Sequence, residues 1–225
     1  MEMFIDGRYT PALSGKVMDV TDPTTGARFD SVPLGDAADA DAAIRAAARA
    51  FPSWARVPMT ERVRVQKACA QALRDHAPRI GAVLHRELGR PLPGCIGEIA
   101  RSADLLDIYA EEGLRLQATM ALGAAPGERT MVTRDPVGVV VAITPFNYPI
   151  TLLMFKLGAA LIAGTGIAAV YFGISHDEAG TPRNSEQRLL IDIARPALQR
   201  ALPYKQIHKE EAFAVFTDRG ARRGA

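Results

Sequence analysis

The residues from Val137 to Ala163 constrain the fold more than any other stretch of the chain. Val137 to Ile143 is a nearly unbroken apolar run rich in β-branched residues. Such a run suits a strand buried on both faces, as in a parallel sheet covered by helices. Pro145 and Pro149 then bracket Phe146, Asn147 and Tyr148. Pro145 drives Thr144 out of helical backbone space. Pro149 suits the first position of a helix, where its missing N–H costs nothing. Ile150 to Ala163 is almost wholly apolar and favours helix. The stretch therefore predicts a strand, a stiff turn and a buried helix. In an open α/β sheet, ligands bind at the carboxyl ends of the strands, so this turn is where chemistry is expected.

Upstream, Met3 to Tyr9 turns at Asp6-Gly7, a hairpin signal. Val17–Val20 and Ala27–Val32 flank Asp22-Pro23-Thr24-Thr25-Gly26, a run of turn formers. These pieces predict a small antiparallel edge layer. A first helix is expected over Ala37–Phe51, capped by Asp36, with Ala40, Ile44, Ala47 and Phe51 on one face, Asp41 and Arg45 paired, and Pro52-Ser53-Trp54 as its end. Trp54, the sole tryptophan, is expected to be a packing residue. Thr60 is the expected cap of a second helix reaching Asp75, with Val65, Cys69 and Ala72 inward. Pro78 is expected to interrupt, and a third helix through Ile80, Val83, Leu84 and Leu88 closes at Gly89. Leu92-Pro93-Gly94 reads as a linker, and Ile96, Ile99, Ala103 and Leu106 mark a fourth helix to Leu116. Gly123–Gly127 reads as a loop of small residues, and Arg129–Arg134 as a half-exposed strand.

Charge excludes some partners. Lys plus Arg number 27 and Asp plus Glu 25, a net charge of +2 with no general pull toward nucleic acid or an anionic membrane. Arg219, Arg222 and Arg223 read as a frayed basic terminus. Cys69 and Cys95 are too few for a disulfide framework and wrongly spaced for zinc; no metal site is expected. No unbroken apolar run of about 18 residues exists; Ile143–Ala163 comes nearest, but Asn147, Lys156 and two prolines interrupt it, so no membrane span is expected. The expected class is a reduced, soluble, cytoplasmic α/β protein.

Pro145-Phe146-Asn147-Tyr148-Pro149, followed by Lys156-Leu157-Gly158-Ala159-Ala160-Leu161, resembles the aldehyde dehydrogenase superfamily. Its members carry a Pro-aromatic-Asn-aromatic-Pro turn with a Lys nine residues past the Asn. Glu87-Leu88-Gly89-Arg90-Pro91 resembles the family's Glu-Thr-Gly-Lys-Pro run, and the resemblance reaches back to Met3. It stops near Gly164. Gly164-Thr165-Gly166-Ile167-Ala168-Ala169 satisfies G-x-G-x-x-A, but a helix precedes it and a strand follows, so it reads as a plain glycine turn. The expected organisation is an N-terminal cofactor-binding portion, residues 1–164, and a divergent tail, residues 165–225, with a strand over Ile167–Gly173 and a helix over Glu186–Leu202. The fold class this implies is α/β: an N-terminal β-hairpin layer, several helices, then the strand and buried helix of an incomplete Rossmann-like NAD(P)-binding domain.

An aldehyde dehydrogenase needs a thiolate nucleophile, donors for the oxyanion, a nicotinamide hydride acceptor and a carboxylate base. The resemblance makes Asn147 an oxyanion donor, with Lys156 supporting it from the next helix. It places Ile143, Thr144, Pro145 and Phe146 along the cleft for NAD or NADP, which this chain alone is expected to bind weakly. From the residues themselves, Asn147 reads first as a turn residue bonding its own backbone, and only the resemblance reverses that; Lys156 reads equally as a snorkelling charge. Neither cysteine fits the nucleophile: Cys69 lies within an amphipathic helix and Cys95 in a helix-capping region. His76 and His85 lie on helices and are expected to be exposed. Ser175-His176-Asp177 is contiguous and cannot act as a triad. The expectation is an NAD(P)-dependent oxidoreductase portion for a small aldehyde, truncated and inactive by itself. The alternative is a non-enzymatic fragment that self-associates or pairs with a full-length dehydrogenase, the Arg129–Arg134 strand being the family's crossing layer.

Overall fold

The computed structural model of the chain describes residues 2–123 and 125–171. Strands β1 (Met3–Ile5) and β2 (Arg8–Thr10) form an antiparallel hairpin. Asp6 and Gly7 both hold positive φ, 55° and 74°, the backbone that a tight two-residue hairpin turn demands. A second hairpin pairs β3 (Val17–Thr21) with β4 (Arg28–Pro33). Its turn is built as the sequence suggests: Asp22 Oδ1 accepts from the Thr24 N–H and hydroxyl, and Gly26 closes on the Asp22 carbonyl at φ 70°.

Helix α1 (Ala37–Ala55) begins with a reciprocal cap between Asp36 and Asp39. It runs through Pro52 rather than stopping there. Helix α2 (Met59–Leu88) is likewise one helix through Pro78, not two, and starts after Pro58 without a Thr60 cap. Both prolines are exposed, so the missing N–H falls on the solvent side, and packing beyond Pro78, through Gly81 and Leu84, carries the helix past it. Gly89 ends α2 in the left-handed region at φ 65°. Helix α3 (Leu92–Gly113) absorbs Leu92-Pro93-Gly94 into its first turn instead of leaving a linker, and ends before Leu116. The inward face of α2 is rotated from the expected one. Gln66, Ala70, Ala77, Gly81 and Leu84 are buried, while Val65, Cys69 and Ala72 are exposed. Gln66 takes an inward place because its amide donates to the Leu106 carbonyl at 3.0 Å.

Strands β5 (Thr119–Leu122) and β6 (Arg129–Val132) pair as an antiparallel hairpin. β5 lies where the sequence suggested no strand, and both strands are exposed on both faces rather than half-buried. Strand β7 (Val139–Thr144) then pairs in parallel with β8 (Gly166–Tyr171), from Val139 opposite Gly166 to Thr144 opposite Tyr171. Between them runs α4 (Pro149–Ile162). Gly164, at φ 83°, makes the turn from α4 into β8, as expected for a plain glycine turn. The helix expected over Glu186–Leu202 lies outside the described residues.

The core joins α2, α3 and α4 through two clusters. Ala70, Ala103, Leu106 and Met154 form one, and Ala77, Leu84, Cys95 and Ile99 the other. Val139 to Ala142 are buried without alternation, so both faces of β7 are covered. Both α1 and α4 pack on the β7–β8 pair. This is the α/β arrangement expected: hairpins first, then helices, then the parallel pair and connecting helix of an incomplete Rossmann-like unit.

Candidate functional site

The Pro145–Pro149 turn lies at the carboxyl end of β7 and feeds directly into α4. Asn147 and Tyr148 are exposed, while Pro149 is buried. Tyr148 occupies the N-cap position but makes no side-chain cap, and Pro149 supplies no N–H. The next two donors are satisfied from another helix. Ile150 and Thr151 donate their N–H groups to Oε1 of Glu98 at 3.0 and 3.1 Å. Glu98 is fully buried on α3. A carboxylate at a helix N-terminus suits the helix dipole as well as the unpaired donors.

The second oxygen of Glu98 pairs with Arg90, Nη2 to Oε2 at 2.7 Å. The same guanidinium donates from Nη1 to the main-chain carbonyl of Asn147 at 3.0 Å and from Nη2 to that of Gly94 at 3.1 Å. It also lies 4.6 Å from the centre of the Tyr148 ring. Burial works against the Arg90 charge, but its hydrogen bond and attraction to Glu98, aided by Cys95 and Tyr148, outweigh that and raise its pKa. One ion pair thus grips the turn on one side of Asn147 by its own carbonyl and on the other through residues 150 and 151. Among the described residues, no hydrogen bond engages the Asn147 side-chain amide. The far end of α4 is held too: Trp54 Nε1 donates to Leu161 O at 3.1 Å, and Arg62 Nη1 to Ile162 O at 2.8 Å.

Ile143 and Thr144 are the last residues of β7, with Pro145 and Phe146 following, so these four and Asn147 are contiguous at one strand end. Thr144 is 2 % exposed, and its hydroxyl oxygen has no hydrogen-bond partner among the described residues. Leaving such an oxygen unpaired costs about 1–3 kcal/mol. Lys156 lies two helical turns beyond Pro149, half-buried, and Nζ donates to Leu152 O at 3.3 Å, leaning toward the N-terminus of α4. Burial lowers its pKa.

Cys95 is buried, with its sulfur 3.6 Å from the Arg90 carbonyl, whereas Cys69 faces solvent. His76 is exposed, but His85 is half-buried, its Nδ1 2.5 Å from the Arg90 carbonyl. Among the described residues no group of three or more His, Cys, Asp or Glu could hold a metal ion, and no helix is long and apolar enough to cross a membrane. Arg90 and Glu98 are the residues that sequence reasoning missed. Glu98 did leave a signal: it stands in register with Cys95, Ser102 and Leu106 on the inward face of α3, where an unpaired acid would be costly.

The aldehyde dehydrogenase family model matches residues 9–169. The succinate-semialdehyde dehydrogenase [NADP(+)] of Escherichia coli (strain K12) is 34% identical over 163 residues, which are 72% of this chain and 34% of that protein. The NADP-dependent glyceraldehyde-3-phosphate dehydrogenase of Streptococcus equinus is 34% identical over 170 residues, covering 73% of this chain and 35% of its own. Among solved structures, the NADP-dependent glyceraldehyde-3-phosphate dehydrogenase of Bacillus halodurans C-125, complexed with NADP, superposes with a TM-score of 0.71 at 30% identity over 89% of this chain and 40% of its own. The succinate-semialdehyde dehydrogenase of Burkholderia pseudomallei gives 0.73 at 29% identity over 86% and 39%. The chain thus spans about a third of the length of the curated relatives it matches. With the proline-bracketed asparagine at a parallel strand end and this match, the chain belongs to the aldehyde dehydrogenase family.

Proposed function

We propose that residues 1–164 of this chain form the coenzyme-side, N-terminal portion of an NAD(P)-dependent aldehyde dehydrogenase. The observation that carries the reading is the Asn147 turn, with its carbonyl tethered and its amide outward at the carboxyl end of β7. In this role the Asn147 amide N–H donates to the oxygen of an aldehyde as a thiolate adds to the carbonyl carbon and negative charge collects there. Removing one such preorganised donor costs about 10²–10³-fold in kcat. Lys156, leaning up α4 toward the turn, adds positive potential beneath it. When bound, NAD or NADP supplies the hydride acceptor. Ile143 to Phe146 form the wall against which it would lie.

The same residues argue against turnover by this chain alone. Cys95 is buried against Arg90, and Cys69 is on the outer face of α2, remote in sequence from the turn. The test mixes the full chain with NAD or NADP and a panel of small aldehydes and follows reduced-coenzyme formation. No turnover is expected, and turnover abolished by Cys95→Ala would overturn this part. Calorimetric titration tests the coenzyme wall. Weak saturable binding is expected, lost in Phe146→Glu, which replaces part of the apolar wall with a charge. No binding at millimolar coenzyme, or binding unchanged by Phe146→Glu, refutes it.

One observation favours a second reading, in which the chain acts by association with itself or with a full-length relative. Met120, Leu122 and Met131 on the β5–β6 hairpin are 67%, 86% and 68% exposed. Paired strands with apolar residues open to water invite a partner. Size-exclusion chromatography of the chain, alone and mixed with a full-length dehydrogenase, decides this, and a monomer under both conditions would count against it.

A further inference from the structure

We propose that Arg90 and Glu98 are positioning residues for Asn147, a buried ion pair whose work is to set the direction of one exposed amide. The functional meaning rests on Asn147 being the oxyanion donor, but the geometry stands apart from that. Glu98 has no exposure, and both of its oxygens are used, Oε1 by two main-chain donors of α4 and Oε2 by Arg90. Arg90 spends its other Nη on the carbonyl of Asn147 itself. Pro145 and Pro149 fix two further backbone torsions of the turn. The residue left with a side chain outward and unengaged is the one whose carbonyl is pinned.

General stability does not account for the arrangement. A buried ion pair often contributes no more than the apolar side chains that could replace it, because desolvation offsets the attraction. A plain N-cap at Tyr148, such as serine or aspartate, would satisfy a donor of α4 with no second helix involved. What such a cap could not do is tie α3 and the end of α2 to the Asn147 carbonyl. The pair joins three pieces of chain at one point, and that point is the turn.

The chain has two asparagines, Asn147 and Asn184, and one tryptophan, Trp54. Selective ¹⁵N-asparagine and ¹⁵N-tryptophan labelling of the full chain therefore gives two side-chain amides and one indole. Asn147→Asp assigns the first, and the indole reports the opposite end of α4. The variant is Arg90→Met with Glu98→Gln, which removes the tether without leaving a buried charge alone and keeps an acceptor for the Ile150 and Thr151 N–H groups. The expected result is a shifted or broadened Asn147 amide with the Trp54 indole unmoved. An unmoved Asn147 amide overturns the proposal. So does simultaneous loss of the Asn147 and Trp54 signals, since it would mean the pair supports the whole fold rather than the turn. No substrate or coenzyme enters the measurement, so a failure of the dehydrogenase reading leaves it intact, and its own failure leaves that reading standing.

Discussion

Glu98→Ala is the sharpest test of how α4 is held. The substitution removes an acceptor from two N–H groups and leaves the Arg90 guanidinium, whose side chain is 22% exposed, without its carboxylate. An unsatisfied buried donor costs about 1–3 kcal/mol, and breaking a buried pair from one side about 3–5 kcal/mol. These figures describe overlapping losses, so they do not add. Water entering the space left by the side chain can re-satisfy part of the N–H pair, and Arg90 can turn toward solvent. The expected loss is therefore about 3–5 kcal/mol, a large share of the roughly 5–15 kcal/mol that holds a typical domain together. At about 2–4 °C per kcal/mol for a chain of this size, Tm falls by roughly 6–20 °C. Urea unfolding followed by Trp54 fluorescence and by circular dichroism gives the number. Glu98→Gln, which keeps an acceptor in place, should lose only about 1–2 kcal/mol. A loss below about 0.5 kcal/mol for Glu98→Ala, the range of an ordinary surface change, would refute the trans-cap account.

Three further outcomes follow from the packing. Gly81→Ala puts a Cβ 2.7 Å from Ile96 Cγ1 and 3.1 Å from the Ile96 backbone nitrogen, so α2 and α3 must separate; a loss of about 1–3 kcal/mol in urea unfolding is expected. Pro78→Ala restores an N–H inside α2 and should raise stability by about 1–2 kcal/mol, measured by thermal unfolding, after the looser unfolded chain is allowed for. Lys156 has its pKa lowered by burial, so between its folded and unfolded values the unfolded chain binds more protons and stability rises with pH. That gain is absent at neutral pH and completes as pH passes the unfolded value near 10.5. Unfolding at pH 7.5 and pH 10 should show Lys156→Met more stable than the parent at the lower pH, with the gap closing at the higher one.

Local signals survived the passage from sequence to structure, and tertiary ones did not. β7, its turn and α4 were legible because β-branched residues, two prolines and a long apolar run each act on their own neighbourhood. Asp36, Gly89 and the Asp6-Gly7 and Asp22–Gly26 turns were legible for the same reason. Pro52 and Pro78 misled because a proline's cost is paid locally while the packing that overrides it comes from elsewhere. The face of α2 was misjudged because Gln66 looks like a surface residue until the Leu106 carbonyl is seen to receive it. At the candidate site the turn could be read, but its anchor could not. Glu98 meets Ile150 across 52 positions, and Arg90 meets Asn147 across 57. No spacing rule joins residues so far apart.

Glu98 also limits how this fold can hold a dinucleotide. In many nucleotide-binding units the bare N–H groups that open a helix after a strand receive a pyrophosphate. Here those groups, at Ile150 and Thr151, are already taken by an acid from α3, so a phosphate brought to the same place would meet negative charge. A phosphate would therefore need donors other than the first N–H groups of α4.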